Sequence, residues 1–185
     1  MASGVTWSIV RPTAYFKSLS GQVARVKQGK AFLVFGDGTL TSCKPISDDD
    51  LAAYLVDCLD DATRHNRVLP IGGPGDASTP REQGEQLFAL LNRAPRFRHV
   101  PVAMLDTIAA TLGVLGRVIP PFADKAQLAR IGRYYATESM LVWDSVAQRY
   151  DAQATPSTGN ETLADHYKEL LCGDAADDRG THAVF

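Results

Sequence analysis

The sequence predicts an α/β fold, and three observations carry that expectation. Short runs rich in β-branched and aromatic residues, "VTWSIV" (5–10), "AFLVF" (31–35), "RVLPIGG" (67–73) and "RFRHVP" (96–101), alternate with stretches of helical period. The first run is apolar on both faces, the pattern of a parallel strand covered by helices on each side. The helical stretches open with explicit start signals: Ser47 before three acids, and Thr79 followed by Pro80 and Glu82.

Along the chain, "KSLSGQVARVKQ" (17–28) is expected as a short amphipathic helix with Leu19, Val23 and Val26 on one side. "GDG" (36–38) is a tight turn, because Asp-Gly supplies positive φ. "LTSCKPIS" (40–47) runs extended into Ser47, which caps "DDDLAAYLVDCLDD"; Asp48, Asp49 and Asp50 are read as charges facing the positive end of that helix. "GGPG" (72–75) is a rigid loop, since Pro74 and Pro80 suit a loop better than a phosphate-binding helix start. "STPREQGEQLFALLN" (78–92) is a helix with a capping box. The most apolar run, 102–119, holds Asp106 and Arg117 and is bounded by Pro101 and Pro120. Since a spanning helix needs ~20 apolar residues with few charges, it reads as a buried helix, or alternatively as one lying on a membrane surface. A second helix is expected over about 122–136, a strand over "MLVWD" (140–144), and an amphipathic helix starting near Asn160. Residues 173–185 have no period and are expected to be a loose tail.

The chain has 185 residues, 45% of them hydrophobic and 22% charged, enough for one domain with a core. Its formal charge of −2 with no basic stripe argues against a nucleic-acid partner. Cys43, Cys58 and Cys172 are scattered, without C-x-x-C spacing, which argues against a metal or iron–sulfur site and for reduced thiols. His65, His99, His166 and His182 share no helical ligand spacing. Residues 1–10 lack the basic region and apolar core of a secretory signal. A strand at 5–10 that is apolar on both faces would expose an edge if nothing preceded it. It is therefore expected to be an inner strand with neighbours in a preceding N-terminal half.

Seven segments then carry a family resemblance: "SIVRPTAYFKSLSGQV", "FGDGTLTSCKPISDDDLA", "VLPIGGPG", "TPREQGEQLF", "RFRHVP", "IGRYYATESM" and "TPSTGNETL". In this order they resemble the C-terminal half of the divinyl chlorophyllide 8-vinyl-reductases, atypical short-chain dehydrogenases of the NmrA-like type. The resemblance covers residues 5–172, and "IGRYYATESM" with "CKPIS" and "LPIGGPG" is its specific part. It implies the C-terminal part of a Rossmann-type NAD(P)-binding fold with a smaller α+β substrate lobe. Residues 1–172 would be the substrate-side portion. It also implies NADPH as cofactor, a chlorophyllide-type tetrapyrrole as substrate, and reduction of its 8-vinyl group to 8-ethyl without an iron–sulfur cluster. The setting would be a chloroplast or the cytoplasm of a photosynthetic bacterium, with peripheral membrane association open. The Gly-rich turn that seats a pyrophosphate and an upstream lysine-bearing helix are absent from these residues. Met1 is accordingly expected to be internal to a longer protein.

In such folds ligands lie beyond the carboxyl ends of the strands. By the resemblance, Arg11, Pro12, Thr13 and Phe16 would line the cofactor's nicotinamide side. Tyr15, Lys44, Arg133, Tyr134, Tyr135 and Glu138 would face the substrate: aromatic faces for a flat macrocycle, cations for its propionate. On a helix Tyr134 and Glu138 would share a face. The alternatives are that Tyr15, Phe16 and the tyrosine pair only pack, that Arg133 and Glu138 form a surface pair, and that Lys44 is solvated. The catalytic proton donor is not identified; Tyr15 is a candidate, but a phenol of pKa about 10 needs a nearby cation, and Lys17 would lie on the opposite side of an extended segment. Two other functions remain open: a non-catalytic dehydrogenase-like binding or assembly factor for photosynthetic complexes, and a dehydrogenase for a quinone or isoprenoid.

Overall fold

Strands and short helices alternate through the computed structural model, which describes residues 4–173. In chain order they are β1 (Ser8–Pro12), β2 (Ala14–Tyr15), α1 (Phe16–Leu19), α2 (Val23–Lys27), β3 (Phe32–Phe35), β4 (Pro45–Ile46), α3 (Asp48–Asp60), β5 (Arg67–Ile71), α4 (Pro80–Leu90), β6 (Phe97–Val100), α5 (Ala103–Leu115), α6 (Pro120–Thr137), β7 (Val142–Asp144), β8 (Arg149–Asp151) and α7 (Leu163–Cys172). Of the expected tail, residues 174–185, with His182, lie outside the described residues.

The start signals work as read. The Ser47 side chain accepts from the Asp50 N–H, and Thr79 and Glu82 exchange both bonds of a capping box with Pro80 in the first turn. Several boundaries move for visible reasons. β1 begins at Ser8 rather than at 5. The helix expected over 17–28 is broken by a 3-10 turn, Ser20–Gln22, in which the Ser20 hydroxyl donates to the Phe16 carbonyl at 2.8 Å. α7 starts at Leu163, capped by Thr162, not near Asn160. Gly159 sits at φ +82°, and the N–H groups of Asn160 and Glu161 donate to Asp50 Oδ2 at 3.1 and 3.0 Å instead of opening a helix. β8 was not expected from the sequence; it pairs antiparallel with β7 across a turn whose Asp144 carboxylate accepts from the N–H groups of Val146 and Ala147.

The expectation of a buried helix over 102–119 is overturned. α5 ends at Leu115, Pro120 opens α6 as its first residue, and in α5 the buried side chains are Leu105 and Ala109, while Met104, Ile108, Val114 and Leu115 are exposed. No helix among the described residues is long and apolar enough to cross a membrane.

The chain divides into two compact units. The described part of the first comprises 4–20, 43–78 and 140–173. In it β1 runs parallel to β5, from Ser8 opposite Arg67 to Pro12 opposite Ile71, and β2 runs parallel to β4. Ile46, Leu51 and Ile71 form its core with Val10 and Tyr54 against them. Tyr167 of α7 is fully buried and donates to the Leu19 carbonyl at 3.2 Å; burial pushes its phenol pKa up.

The described part of the second unit comprises 21–42 and 79–139. Here β3 runs parallel to β6, from Phe32 opposite Phe97 to Phe35 opposite Val100. Phe97 meets both Phe32 and Phe88 edge-on, with ring centres 6.1 and 6.2 Å apart. Gly84 of α4 makes room for these rings, since a Cβ there would lie 2.6 Å from Phe97 Cε1. Gln22 extends the strand pairing by bonding both the N–H and the carbonyl of Leu33.

Candidate functional site

In the first unit, four segments meet at the carboxyl ends of β1 and β5. The Thr13 N–H donates to the Ile71 carbonyl at 3.0 Å, and its buried hydroxyl donates to the Lys44 carbonyl. That carbonyl also accepts from the Gly73 N–H at 3.1 Å. Gly72 donates to Pro156 and its own carbonyl accepts from Thr158, both at 2.9 Å. Gly72 and Gly73 are required by closeness: a Cβ at Gly73 would overlap the Pro45 carbonyl oxygen, and one at Gly72 would overlap the Lys44 side chain. The "GGPG" segment is thus a loop held by strand contacts, as the sequence reading has it.

Lys44 is not solvated, which corrects that alternative. It is 9% exposed, and its ammonium donates to the Thr155 carbonyl at 2.9 Å and to Ser157 Oγ at 3.0 Å. A buried cation with two fixed acceptors is a rigid pin between β4 and the 155–158 loop. Thr155 is itself buried; its hydroxyl donates to the Asp151 carbonyl and accepts from the Val142 N–H.

Around this lattice, Arg11 is exposed, Pro12 is half-buried and Tyr15 is 41% exposed as the residue preceding α1. Phe16 is 4% exposed, its ring centre 5.4 Å from that of His166. The Ser20 hydroxyl is committed to the Phe16 carbonyl, so His166 Nε2, 2.9 Å away, is the donor to Ser20 Oγ. Burial lowers the His166 pKa, against the opposing charges of Glu169, Asp48 and Glu161. Lys17 forms an ion pair with Asp48. The acids 48–50, read as N-terminal charges only, therefore do more: Asp48 pairs with Lys17 and Asp50 holds the 160–161 backbone.

The second unit carries the other four candidates. Arg133 pairs with Asp106 of α5, not with Glu138. Tyr134 and Tyr135 are each 55% exposed and meet edge-on, with ring centres 6.0 Å apart. Glu138 is the C-cap of α6. Its backbone is extended (φ −114°, ψ 127°), and it ends α6 by donating its N–H to the Tyr134 carbonyl at 2.8 Å.

Of the candidates, Thr13 and Lys44 are brought into contact, and Arg133, Tyr134 and Tyr135 stand consecutively on α6. The sequence reading missed Thr155 and Ser157 as partners of Lys44, although "TPST" was part of the family signal. It also missed Asp106 as the partner of Arg133, for which no local pattern exists. Among the described residues no group of His, Cys, Asp and Glu could hold a metal ion.

Among solved structures, the chain is similar to leucoanthocyanidin reductase from Vitis vinifera in a ternary complex, with TM-score 0.62, 13% identity, and coverage of 92% of this chain and 56% of that one. It is also similar to an NADPH-dependent quinone oxidoreductase from Escherichia coli complexed with NADPH, with TM-score 0.56, 18% identity, and coverage of 91% and 55%. At these identities the likeness establishes the fold, an α/β chain of Rossmann type. No protein-family profile matches the chain. In sequence it is 50% identical over 181 residues to the divinyl chlorophyllide a 8-vinyl-reductase, chloroplastic, of Oryza sativa subsp. indica, covering 97% of this chain and 45% of that protein. To the protein of the same name from Cucumis sativus it is 50% identical over 184 residues, covering 99% and 44%. The chain thus spans a little under half the length of these curated relatives, and over that span it is homologous to the C-terminal half of the divinyl chlorophyllide a 8-vinyl-reductases.

Proposed function

We propose that these residues are the substrate-side portion of an NADPH-dependent reductase that converts the 8-vinyl group of divinyl chlorophyllide or protochlorophyllide to 8-ethyl, acting in a chloroplast with an N-terminal half of the same protein. The observation that carries the reading is 50% identity across 97% of the chain to a protein named for that activity. Half identity over nearly the whole chain speaks for a retained site and against the non-catalytic and quinone or isoprenoid readings.

The residues present suit the nicotinamide end of a cofactor rather than its pyrophosphate. Arg11 and Tyr15 are exposed at the carboxyl end of β1, the position ligands take in such sheets. Among the described residues no Gly-rich turn leads from a parallel strand straight into a helix: Gly72 and Gly73 are committed to β4 and the 155–158 loop, and α4 starts only at Pro80. Bound NADPH would supply a hydride equivalent to one vinyl carbon while a proton goes to the other, turning C=C into C–C. In this reading Arg11 and Pro12 bound the nicotinamide, and Thr13 and Phe16 act from beneath as buried supports. Tyr15 faces the substrate and Lys44 holds the loop beside it; on the second unit, taken by itself, Tyr134 and Tyr135 offer ring faces of the kind a macrocycle stacks on. Arg133, with its charge partly met by Asp106, attracts the propionate, and Glu138 closes the helix end.

The test is complementation of a plant line that lacks the reductase and accumulates divinyl pigments, using the complete reading frame that contains these residues. Chromatography should show monovinyl pigments restored. Stable accumulation of the protein with pigments still divinyl would overturn the reductase reading in favour of the binding-factor one. The isolated 185-residue chain should bind NADPH only weakly; low-micromolar binding by calorimetry would contradict the assignment of the pyrophosphate site to the other half.

A further inference from the structure

Exposed apolar side chains run along both α5 and α6, and the most exposed of them stand where α5 turns into α6. Val114 is 61% exposed and Val118 83% exposed, with Leu115 and Ile119 also outward and Pro120 and Pro121 beside them. The hairpin leaves no room to turn them inward. α5 and α6 close on each other at Gly116, where a Cβ would lie 2.7 Å from the Ala123 nitrogen, and Arg133 is tied back to Asp106 further along.

The charge around this tip is basic. Arg117 lies within it and Lys125 and Arg130 follow on α6, against Asp124 as the one acid of residues 114–130. Lys125 Nζ stands 5.6 Å from the centre of the Phe122 ring, so this cation shares an edge with the apolar surface. An apolar tip collared by cations is the chemistry of a segment that enters the headgroup region of a bilayer containing acidic lipids. The apolar side chains leave water, and the long basic side chains reach back to phosphate. A two-fold contact with a second copy would bring this basic patch against the same patch of the partner, which disfavours that occupant. The hairpin is too short for more than shallow entry, about 5–10 Å.

We propose that the α5–α6 turn, residues 114–122, inserts into the surface of an anionic lipid bilayer. The inference does not depend on the reductase reading, and its test does not read activity.

The full chain is floated through a density gradient with vesicles of phosphatidylcholine containing phosphatidylglycerol, and in parallel with phosphatidylcholine alone; aggregated protein stays at the bottom. The chain should rise with the anionic vesicles and much less with the neutral ones. V118D/I119D should lose more than about tenfold in partitioning while keeping the wild-type melting temperature. R117E/K125E should reduce binding to the neutral-vesicle level. In Val118→Trp, the added emission should shift to the blue and be quenched by brominated acyl chains. Flotation of V118D/I119D equal to wild type, no flotation of wild type with anionic vesicles, or an unquenched Val118→Trp would each overturn the proposal. A dimer that V118D/I119D converts to monomer, with flotation unchanged, would assign the tip to a second copy instead.

Discussion

In the first unit the strand ends are pinned by buried polar groups, Thr13, Lys44 and Thr155, and by two glycines at which backbones nearly touch. In the second, three phenylalanine rings pack edge-on, two of them against Gly84, and much apolar surface stays outside on α5 and α6. Charge separates the two as well. The described residues of the first unit carry seven Lys and Arg against twelve Asp and Glu, and those of the second carry eleven against six. The near-neutral total therefore conceals an acidic unit and a basic one, and whole-chain charge is a poor guide to what either surface attracts. Directional polar contacts fix the first unit's strand ends to within a hydrogen-bond length. Nondirectional packing holds the second and leaves its helix surface free to vary.

The contrast can be broken from either side. The largest effect is expected in the second unit: Phe88→Ala removes a ring that is 2% exposed and should cost about 4 kcal/mol in urea unfolding. In the first unit, Gly73→Ala forces β4 from the 72–73 backbone and should cost about 3 kcal/mol. If it is tolerated without loss, the strand-end lattice is looser than its geometry. Lys44→Met keeps the stem but leaves the Thr155 carbonyl and Ser157 without their donor; about 2 kcal/mol is expected. Asp50→Ala should cost about 1 kcal/mol by freeing the Asn160 and Glu161 N–H groups, with faster amide exchange confined to that loop.

The smallest effect is a pH dependence. Burial lowers the His166 pKa below 6.5 in the folded chain, so the unfolded chain takes up the proton first as pH falls. The stability His166 contributes is complete above 6.5 and is lost as pH falls through its lower folded value. Melting temperature should drop between about pH 7 and about pH 5, and His166→Gln should flatten that slope. An unchanged slope would remove His166 from the acid response.

Much of this was legible locally. Ser47, Thr79–Glu82 and the Asp37 turn act through neighbours within four residues, so their types and spacing suffice. β8 was not legible, because a three-residue strand is defined by its partner. Nor was the delay of α7 to Leu163, because Asp50 captures the Asn160 and Glu161 N–H groups ahead of the Thr162 cap from more than a hundred residues away. Within the candidate site, the cation at 44 and the Arg-Tyr-Tyr run were visible as residue types. What each touches was not.

By itself the sequence determined the alternation of strands and helices and the helix starts, since these follow from short-range periodicity and capping. Tertiary structure alone decided that Lys44 is buried, that Arg133 answers Asp106, and that the most apolar helix shows much of that surface to solvent. Burial and pairing between distant residues depend on which surfaces meet, and no local pattern encodes that.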